Sequence, residues 1–389
     1  AASVFAGWRI VAHTVADGFA GSAPERALGW LPDHPGALLG LAERQLAADD
    51  DAAAAATARH LLRVAPLEGR ALRILGAVAD GAGRADRART LYQHAAILSP
   101  RDVRTHTWLI RRDVTADYYP AALIQMDRLM RISPAHRAAI LPLMAELAQL
   151  PAFVDALAPT LAANPSWRGG FLAELNSGRY PQGAARVAAA LAQSGGLDAQ
   201  ERIRRIDSLI AQNAWGKAYA FWASDLPAGT RLPLVYNGDF AHVPTGQGFD
   251  WRVRHVPGAQ VRFVTDVDGD GLMAHVVFRR RPVAGAGLEQ PLLLAPGDYR
   301  LTVRMRGDGL QSQRGLEWTI QCAGGAVVGR STPIDGSFPW RTVTADVRID
   351  EACPGQWLQL RNRVPSGSGQ FTSGELWIDD VVVTPRAAE

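Results

Sequence analysis

Polar and apolar side chains alternate along three stretches of the C-terminal half, as they do in half-buried β-strands. Between Tyr299 and Arg306 every second residue is apolar, and three arginines and one threonine alternate with them. Two further stretches, around Trp318 and Leu358, alternate in the same way. The alternation turns these side chains away from the apolar face: Arg304, Arg306, Glu317, Gln321, Trp357, Gln359 and Arg361. If the strands share one sheet, guanidinium, amide and indole groups form one surface.

This combination of groups predicts a carbohydrate-binding surface. An indole ring stacks on the apolar face of a pyranose, and polar side chains beside it fix the hydroxyl groups. Arginine adds two-pronged hydrogen bonds to uronate, sulfate or pyruvyl groups, so an acidic polysaccharide is a candidate ligand. The alternative interpretation is a solvated sheet face on which arginine and glutamate pair across strands.

Motifs for catalysis are missing from the sequence. It has no Gly-x-Ser-x-Gly elbow, no His-Glu-x-x-His, no phosphate loop and no Cys-x-x-Cys. The carboxylates of the C-terminal half are scattered over turns, without a clear acid and base for glycoside hydrolysis. We therefore predict a protein that is not an enzyme. The alternative is a glycan-processing enzyme with an unrecognised site.

An aspartate-rich loop has the spacing of the first half of an EF-hand calcium loop. It reads Asp266-Val-Asp268-Gly-Asp270-Gly271, but Val277 stands where the second half needs a bidentate glutamate. The loop joins two predicted strands, so a hairpin turn built by aspartate and glycine explains it without a metal. We predict the turn.

The only two cysteines, Cys322 and Cys353, lie at the ends of predicted strands. Neighbouring strands would bring them within bridging distance, and a disulfide would indicate an oxidising compartment such as the periplasm. The alternative is a pair of free buried thiols.

Short alternating strands separated by glycine and proline begin after Leu226-Pro-Ala-Gly-Thr230. About eight strands are expected, and they predict an antiparallel β-sandwich of the jelly-roll type over residues 234–389, after a linker at 226–233. The predicted strands are Trp251–Val256, Gln260–Thr265, Leu272–Phe278, Gly297–Arg306, Gly315–Cys322, Arg341–Ile349, Gln356–Arg363 and Gly374–Thr384.

Four motifs follow one another in this domain: Asn237-Gly-Asp-Phe240, Trp251, Phe338-Pro-Trp340 and Leu376-Trp-Ile-Asp-Asp-Val381. In this order they resemble the jelly-roll carbohydrate-binding modules attached to bacterial xylanases and glucanases. The resemblance implies that Trp251 and Trp340 are core residues. It also implies a structural calcium with Asp380 as a ligand, although Ala241 replaces the usual acidic residue and Asp239 would have to substitute.

Prolines Pro32, Pro66, Pro100 and Pro134 recur every 34 residues in the N-terminal half. Two other sets share that period: Leu41, Leu75 and Leu109, and Ala54, Ala88 and Ala122. A period in the thirties indicates stacked two-helix units, because each unit has an apolar face that only its neighbour covers.

This repeat resembles the tetratricopeptide repeat. The best match runs from Gly69 to Pro100, with Leu75-Gly76 in its first helix and Ala88, Tyr92 and Ala95 in its second. The resemblance implies an α-solenoid over residues 1–225 that holds a protein partner in its groove.

Both ends of this helical region carry aromatic residues. The opening stretch is predicted to be the first solenoid helix, with an apolar stripe of Trp8, Val11, Val15 and Phe19. The alternative is the exit end of a membrane anchor that preceded Ala1. A last hairpin is expected over Asp198–Gln212 and Trp215–Trp222, whose aromatic residues we expect to cap the solenoid core.

The chain of 389 residues has a formal net charge of only +3 and one lysine, Lys217. It has no basic cluster typical of nucleic-acid binding, so that partner class is excluded. Helical repeats joined to such a module resemble proteins of bacterial exopolysaccharide and cell-envelope glycan loci. The combined hypothesis is an extracytoplasmic adaptor that binds a protein and a polysaccharide. The alternative is a protein-interaction scaffold that binds no sugar.

Overall fold

The computed structural model describes residues 2–132, 134–193, 196–265, 271–364 and 370–386, with side chains from residue 8 onward. Within these residues the chain forms 14 helices followed by ten strands. It divides into two compact units, one of Ala1–Leu175 with Tyr180–Gly196 and one of Asn176–Arg179 with Leu197–Glu389. The predicted fold class, a helical region followed by an antiparallel β-sandwich, is confirmed.

The first unit is helical. Its described helices are α1 (Ala2–Phe19), α2 (Pro24–Trp30), α3 (Pro35–Ala47), α4 (Asp51–Val64), α5 (Gly69–Gly81), α6 (Ala85–Leu98), α7 (Val103–Thr115), α8 (Tyr119–Ile132), α9 (Pro134–Leu147), α10 (Pro151–Ala162), α11 (Arg168–Leu175) and α12 (Pro181–Gln193). None of the helices described is long and apolar enough to cross a membrane.

Helix starts in this unit follow the 34-residue period. Helices α3, α5 and α7 begin at Pro35, Gly69 and Val103, and each is followed by a partner helix 16 residues later. His34 and Asp50 each accept a backbone N–H at a helix start, which satisfies a donor that has no partner inside the helix. The predicted helical hairpins are therefore present, and membership of the tetratricopeptide family stays a prediction.

Gly76 lets two helices of one hairpin approach closely. A Cβ atom at this position would lie 2.8 Å from Cδ2 of Tyr92. The Tyr92 ring is itself fixed, because it stacks on Trp108 with centroids 4.0 Å apart and 6° between the planes. The sequence therefore needs the smallest residue where α5 crosses α6.

The opening stretch is helical, but only the second half of the predicted stripe is partly buried. Trp8 and Val11 are 54% and 51% exposed, whereas Phe19 packs against the buried cluster of Ala16, Ala27 and Ala37. Small alanine side chains allow this close helix contact.

The second unit begins with two helices and continues as strands. Its described elements are α13 (Ala199–Ala211), α14 (Trp215–Ala223), β1 (Arg252–Val253), β2 (Ala259–Thr265), β3 (Leu272–Pro282), β4 (Gly285–Leu292), β5 (Gly297–Ser312), β6 (Leu316–Cys322), β7 (Val327–Arg330), β8 (Gly336–Ile349), β9 (Gln356–Asn362) and β10 (Phe371–Pro385). The predicted helical hairpin is confirmed within one or two residues. The aspartate-rich loop, Asp266 to Asp270, lies outside the described residues.

The strands form two layers of a sandwich. The first sheet has the order β1-β4-β9-β6-β7 and the second β8-β5-β10-β3-β2, and one residue pair, Gly329 with Val347, joins them. Both layers bury their inner residues in one core that contains Trp251 and Trp318. Trp251 is thus a core residue, as expected.

Trp340 is not a core residue, which corrects the expectation drawn from the module resemblance. It is partly exposed, and the guanidinium carbon of Arg304 lies 4.5 Å from its ring centroid. Phe338 occupies the buried position two residues earlier on the same strand. The motif therefore places its phenylalanine, rather than its tryptophan, inward.

Two strands were missed by the alternation pattern. Strand β4 contains Gly285, Gly287 and Pro291, which are typical of turns, and β7 is only four residues long. In β4 the pairing with β1 and β9 holds the backbone extended despite these residues.

The two cysteines form a disulfide. Cys322 ends β6, Cys353 lies in the loop before β9, and their Cα atoms are 5.3 Å apart. Both are buried, and the alternative of two free thiols is wrong.

We expect Gly76→Ala to destabilise the first unit. Alanine gains about 1 kcal/mol of helix propensity over glycine, but overpacking against a fixed ring costs about 1–3 kcal/mol. The free energy of unfolding from urea titrations should fall. Gly81→Ala in the same helix is the control, because its Cβ would meet only Asp51 at 3.6 Å and should stabilise the chain. Equal effects of the two changes would contradict the close contact at Gly76.

Candidate functional site

Five of the seven predicted surface residues lie together on the outward face of the first sheet. Strands β6 and β9 pair Glu317 with Arg361 and Gln321 with Trp357. Gln359 stands between Trp357 and Arg361 on β9, and its side chain has the same direction. The structure therefore brings these five side chains to one surface. That they bind sugar stays a prediction.

Arg304 and Arg306 lie elsewhere. Both are on β5, in the second sheet, and their side chains point outward on the opposite side of the sandwich. The condition that the predicted rows lie on one surface is therefore met by five of the seven residues. Alternation tells which side of a strand is polar, but it carries no information on which sheet the strand joins.

Glu317 faces outward but is only 2% exposed. Arg330 Nη1 donates to its Oε1 at 2.6 Å, and Arg363 Nε lies 3.1 Å from its Oε2. The two arginine side chains cover the carboxylate, so it is not available to a ligand. For this residue, the alternative of arginine and glutamate pairing on the sheet face is correct.

A cleft of about 710 Å³ opens beside Trp357. Its walls come from the two helices of this unit, from the segment of β1 and from the turn after β6. It is lined by Asp207, Ile210, Ala211, Asn213, Trp215, Arg252, Arg254, Ala323, Gly324 and Trp357.

Helix α14 is held against the sandwich by aromatic contacts. The ring centroids of Trp215 and Trp357 are 5.7 Å apart at 77°, and those of Trp222 and Tyr236 are 5.0 Å apart at 85°. Edge-to-face packing of this kind is the favoured geometry of aromatic pairs. The expectation that these aromatic residues cap the solenoid core is therefore wrong, because they pack on residues of the second unit. Burial raises the pKa of the Tyr219 hydroxyl beside them.

Two arginines approach Trp357 from β1 and the residues after it. The guanidinium carbons of Arg252 and Arg254 lie 5.5 and 5.9 Å from the Trp357 ring centroid, at the outer limit of a cation–π contact. Arg252 is held by Asp207 Oδ1 at 2.8 Å and by the Gly248 carbonyl at 2.8 Å.

Arg254 is the more accessible of the two. Its side chain is 62% exposed and pairs with the buried carboxylate of Glu289, which also accepts a hydrogen bond from Gln359 at 2.8 Å. The cleft thus offers an indole ring, one fixed and one accessible guanidinium, and the carboxylate and amide of Asp207 and Asn213.

Arg252, Arg254 and Glu289 were missed by sequence reasoning. The signal for the arginines was present, since Trp251 and Val253 alternate with them. Glu289 lies in β4, whose glycines and proline hid the strand. Nothing in the local sequence indicated that α13 would line the cleft, because its position there depends on a contact between distant segments.

The predicted calcium ligand Asp380 is exposed, and its carboxylate lies 3.4 Å from Arg304 Nη1. Asp239 Oδ1 accepts the backbone N–H of Ala241 at 3.3 Å. Over the part of the chain that the structure describes, no group of three or more His, Cys, Asp or Glu residues could hold a metal. Structural calcium stays a prediction.

Solved structures similar to the β region were found. A carbohydrate-binding module described as CBM4 is 16% identical, covers 39% of this chain and 99% of its own, and has a TM-score of 0.30. TmCBM61 in complex with beta-1,4-galactotriose is 14% identical, covers 40% and 100%, and has a TM-score of 0.28. An arabinose-bound α-L-arabinofuranosidase is 14% identical, with a TM-score of 0.30, and the match covers 39% of this chain and 26% of that one. No protein-family model and no curated protein matches the sequence.

We expect Gly355→Ala to disrupt the cleft. A Cβ at this position would overlap the indole of Trp215, so α14 must shift or the loop before β9 must move. Overpacking of this kind costs about 1–3 kcal/mol. Urea unfolding followed by tryptophan fluorescence should show a lower free energy of unfolding.

Gly324→Ala is the matched control for that change. Gly324 also lines the cleft, but a Cβ there would meet no atom within 4 Å. If Gly355→Ala is as stable as Gly324→Ala, the helix does not pack on the sandwich as described.

Proposed function

We propose that the second unit binds an acidic glycan in the Trp357 cleft and that the chain is a non-catalytic adaptor. The observation that carries this proposal is the placement of Trp357 beside Arg252 and Arg254 in one open cleft. The ring supplies an apolar surface for a pyranose, and the accessible guanidinium of Arg254 supplies a two-pronged partner for a carboxylate. A cleft of about 710 Å³ suits a ligand of a few sugar rings.

The state of the buried carboxylates supports a non-catalytic role. Glu289 pairs with Arg254, and Glu317 pairs with Arg330 and Arg363. Glycoside hydrolysis needs two carboxyl groups that face the same bond. Glu317 is only 2% exposed under its two arginines, so it cannot face such a bond.

The disulfide supports an extracytoplasmic location for the adaptor, periplasmic or associated with the cell envelope. Disulfides persist in oxidising compartments and are rare in the cytosol of most organisms. The bond between Cys322 and Cys353 is buried in the sandwich. An envelope glycan would be available to the cleft in that compartment.

A groove in the first unit supports a protein partner. It measures about 520 Å³ and is lined by Glu43, Leu46, Ala47, Arg73, Ala77, Tyr92, Val103, Arg104, Thr107, Trp108 and Arg111. Arg73 is buried between Glu43 and Asp102, so its charge is neutralised. Arg104 is 73% exposed and Arg111 is exposed, which leaves an apolar floor with basic side chains at its rim. Burial raises the pKa of Tyr92, a ring in the wall of this groove, to about 12. An extended peptide with apolar and acidic residues fits these properties.

For the cleft, we expect Trp357→Ala to weaken binding of the full chain to polygalacturonate. Loss of a central aromatic contact costs about 2 kcal/mol, or roughly thirty-fold in Kd. Arg254→Gln should weaken binding to polygalacturonate more than to its fully methyl-esterified form, because only the first polymer carries carboxylates. Isothermal titration calorimetry measures both.

Lys217→Ala is the control for the loss of one positive charge. Lys217 is exposed on α14 and does not line the cleft. Unchanged affinity of Trp357→Ala for polygalacturonate would contradict glycan binding in the cleft. It would favour the alternative of a scaffold that binds no sugar there.

For the groove, we expect the double change Arg104→Glu with Arg111→Glu to abolish binding of arrayed peptides that alternate leucine with aspartate or glutamate. The new carboxylates repel acidic peptides at the groove rim. Arg87→Glu, an exposed residue of α6 outside the groove, should bind like the unchanged chain. Equal loss in both variants would mean a general charge effect and contradict a groove site.

A further inference from the structure

The outward face of the second sheet carries a stack of three planar side chains. Trp377 of β10 stands opposite Arg306 of β5 and His275 of β3 in the strand registers. The Arg306 guanidinium carbon lies 4.4 Å from the Trp377 centroid, and the His275 ring lies 4.7 Å away with 8° between the planes. We call Arg306, Trp377 and His275 the planar stack.

Both faces of the Trp377 ring are covered. Strand β10 lies between β5 and β3, so Arg306 and His275 approach the indole from opposite sides. A sugar ring therefore has no free indole face to stack on. The chemistry of the planar stack must therefore come from its charged edge.

Arg306 is the charged group that the planar stack presents. His275 is paired with Glu375 at 2.7 Å, and the nearby Arg304 lies 3.3 Å from Asp379 and 3.4 Å from Asp380. Arg306 is exposed, and no carboxylate of the described residues pairs with it. Its positive charge is held in a fixed orientation by an aromatic ring and is free to meet an anion.

A guanidinium stacked on an aromatic ring keeps its N–H edge outward and is more weakly hydrated than an ammonium. Its rotamers are already restricted, so less side-chain entropy is lost on binding. Such a fork matches the two oxygens of a carboxylate or a sulfate.

We propose that the planar stack is a second glycan site, which recognises the anionic group of an acidic polysaccharide and not its sugar ring. The inference rests on the proposed glycan binding at the Trp357 cleft. The two sites lie on opposite outward faces of one sandwich, so one chain can hold two polymer strands. The predicted outcome is cross-linking of the polymer as well as binding to it.

The test uses the full chain with polygalacturonate. The unchanged protein should bind and raise light scattering by cross-linking. Arg306→Ala and Trp357→Ala should each bind but no longer cross-link, and combining them should lower the remaining affinity at least ten-fold. Arg306→Lys should behave like Arg306→Ala, because lysine keeps the charge but loses the planar fork.

Arg300→Ala is the matched control. Arg300 lies on the same strand, points outward and pairs with Asp346 at 3.0 Å, away from the planar stack. It should cross-link like the unchanged chain, and thermal unfolding checks that every variant is folded. Dextran sulfate in place of polygalacturonate distinguishes a sulfate from a carboxylate as the preferred anion.

The possible results of this test distinguish the two proposed sites. If Arg306→Ala still cross-links, or leaves the affinity of Trp357→Ala unchanged, the second site is overturned while the cleft stands. If Trp357→Ala still cross-links, the cleft proposal fails and the planar stack is judged by Arg306→Ala alone. No binding of the unchanged protein to either anionic polymer would overturn both.

Discussion

The cleft of the second unit depends on one contact, between the indole of Trp215 and the backbone at Gly355. Only glycine leaves room for the ring at this point of the loop before β9. Trp215 then meets Trp357 edge to face, and α13 brings Asp207 within hydrogen-bond distance of Arg252. If this contact were blocked, α14 or the loop before β9 would have to shift, and the wall that the helices form over the first sheet would shift with it.

Arginine has two different roles on the two faces of the sandwich. On the first sheet, Arg330 and Arg363 cover the buried carboxylate of Glu317, so the charges cancel and the group is structural. Removing one partner of such a buried pair is strongly destabilising, because the other charge is left without compensation. On the second sheet, Arg306 stacks on Trp377 and keeps its charge. Glu317 is enclosed by two arginines, whereas Arg306 pairs with no carboxylate of the described residues and can meet a ligand.

Sequence patterns predicted the elements better than their arrangement. The 34-residue period placed three helical hairpins, because the helix starts at Pro35, Gly69 and Val103 follow it. Alternation correctly gave the outward side of β5, β6 and β9. It could not assign β5 to the second sheet, since strand order depends on pairing between distant segments. It also could not show that Glu317 is covered, because the covering side chains come from other parts of the chain.

The segment needed for the cleft begins before the predicted linker at 226–233. Asp207, Asn213 and Trp215 all precede that linker, yet they line the same cleft as Trp357. A fragment that starts at residue 231 would keep the indole and both arginines but lose the helical wall and expose the aromatic side chains under it. Weak binding by such a fragment would therefore say little about the intact chain. The planar stack has no such dependence, because all of its residues lie on strands of the sandwich. The two proposed sites thus differ in what they require from the fold. The Trp357 cleft needs the hairpin of α13 and α14, and the planar stack does not.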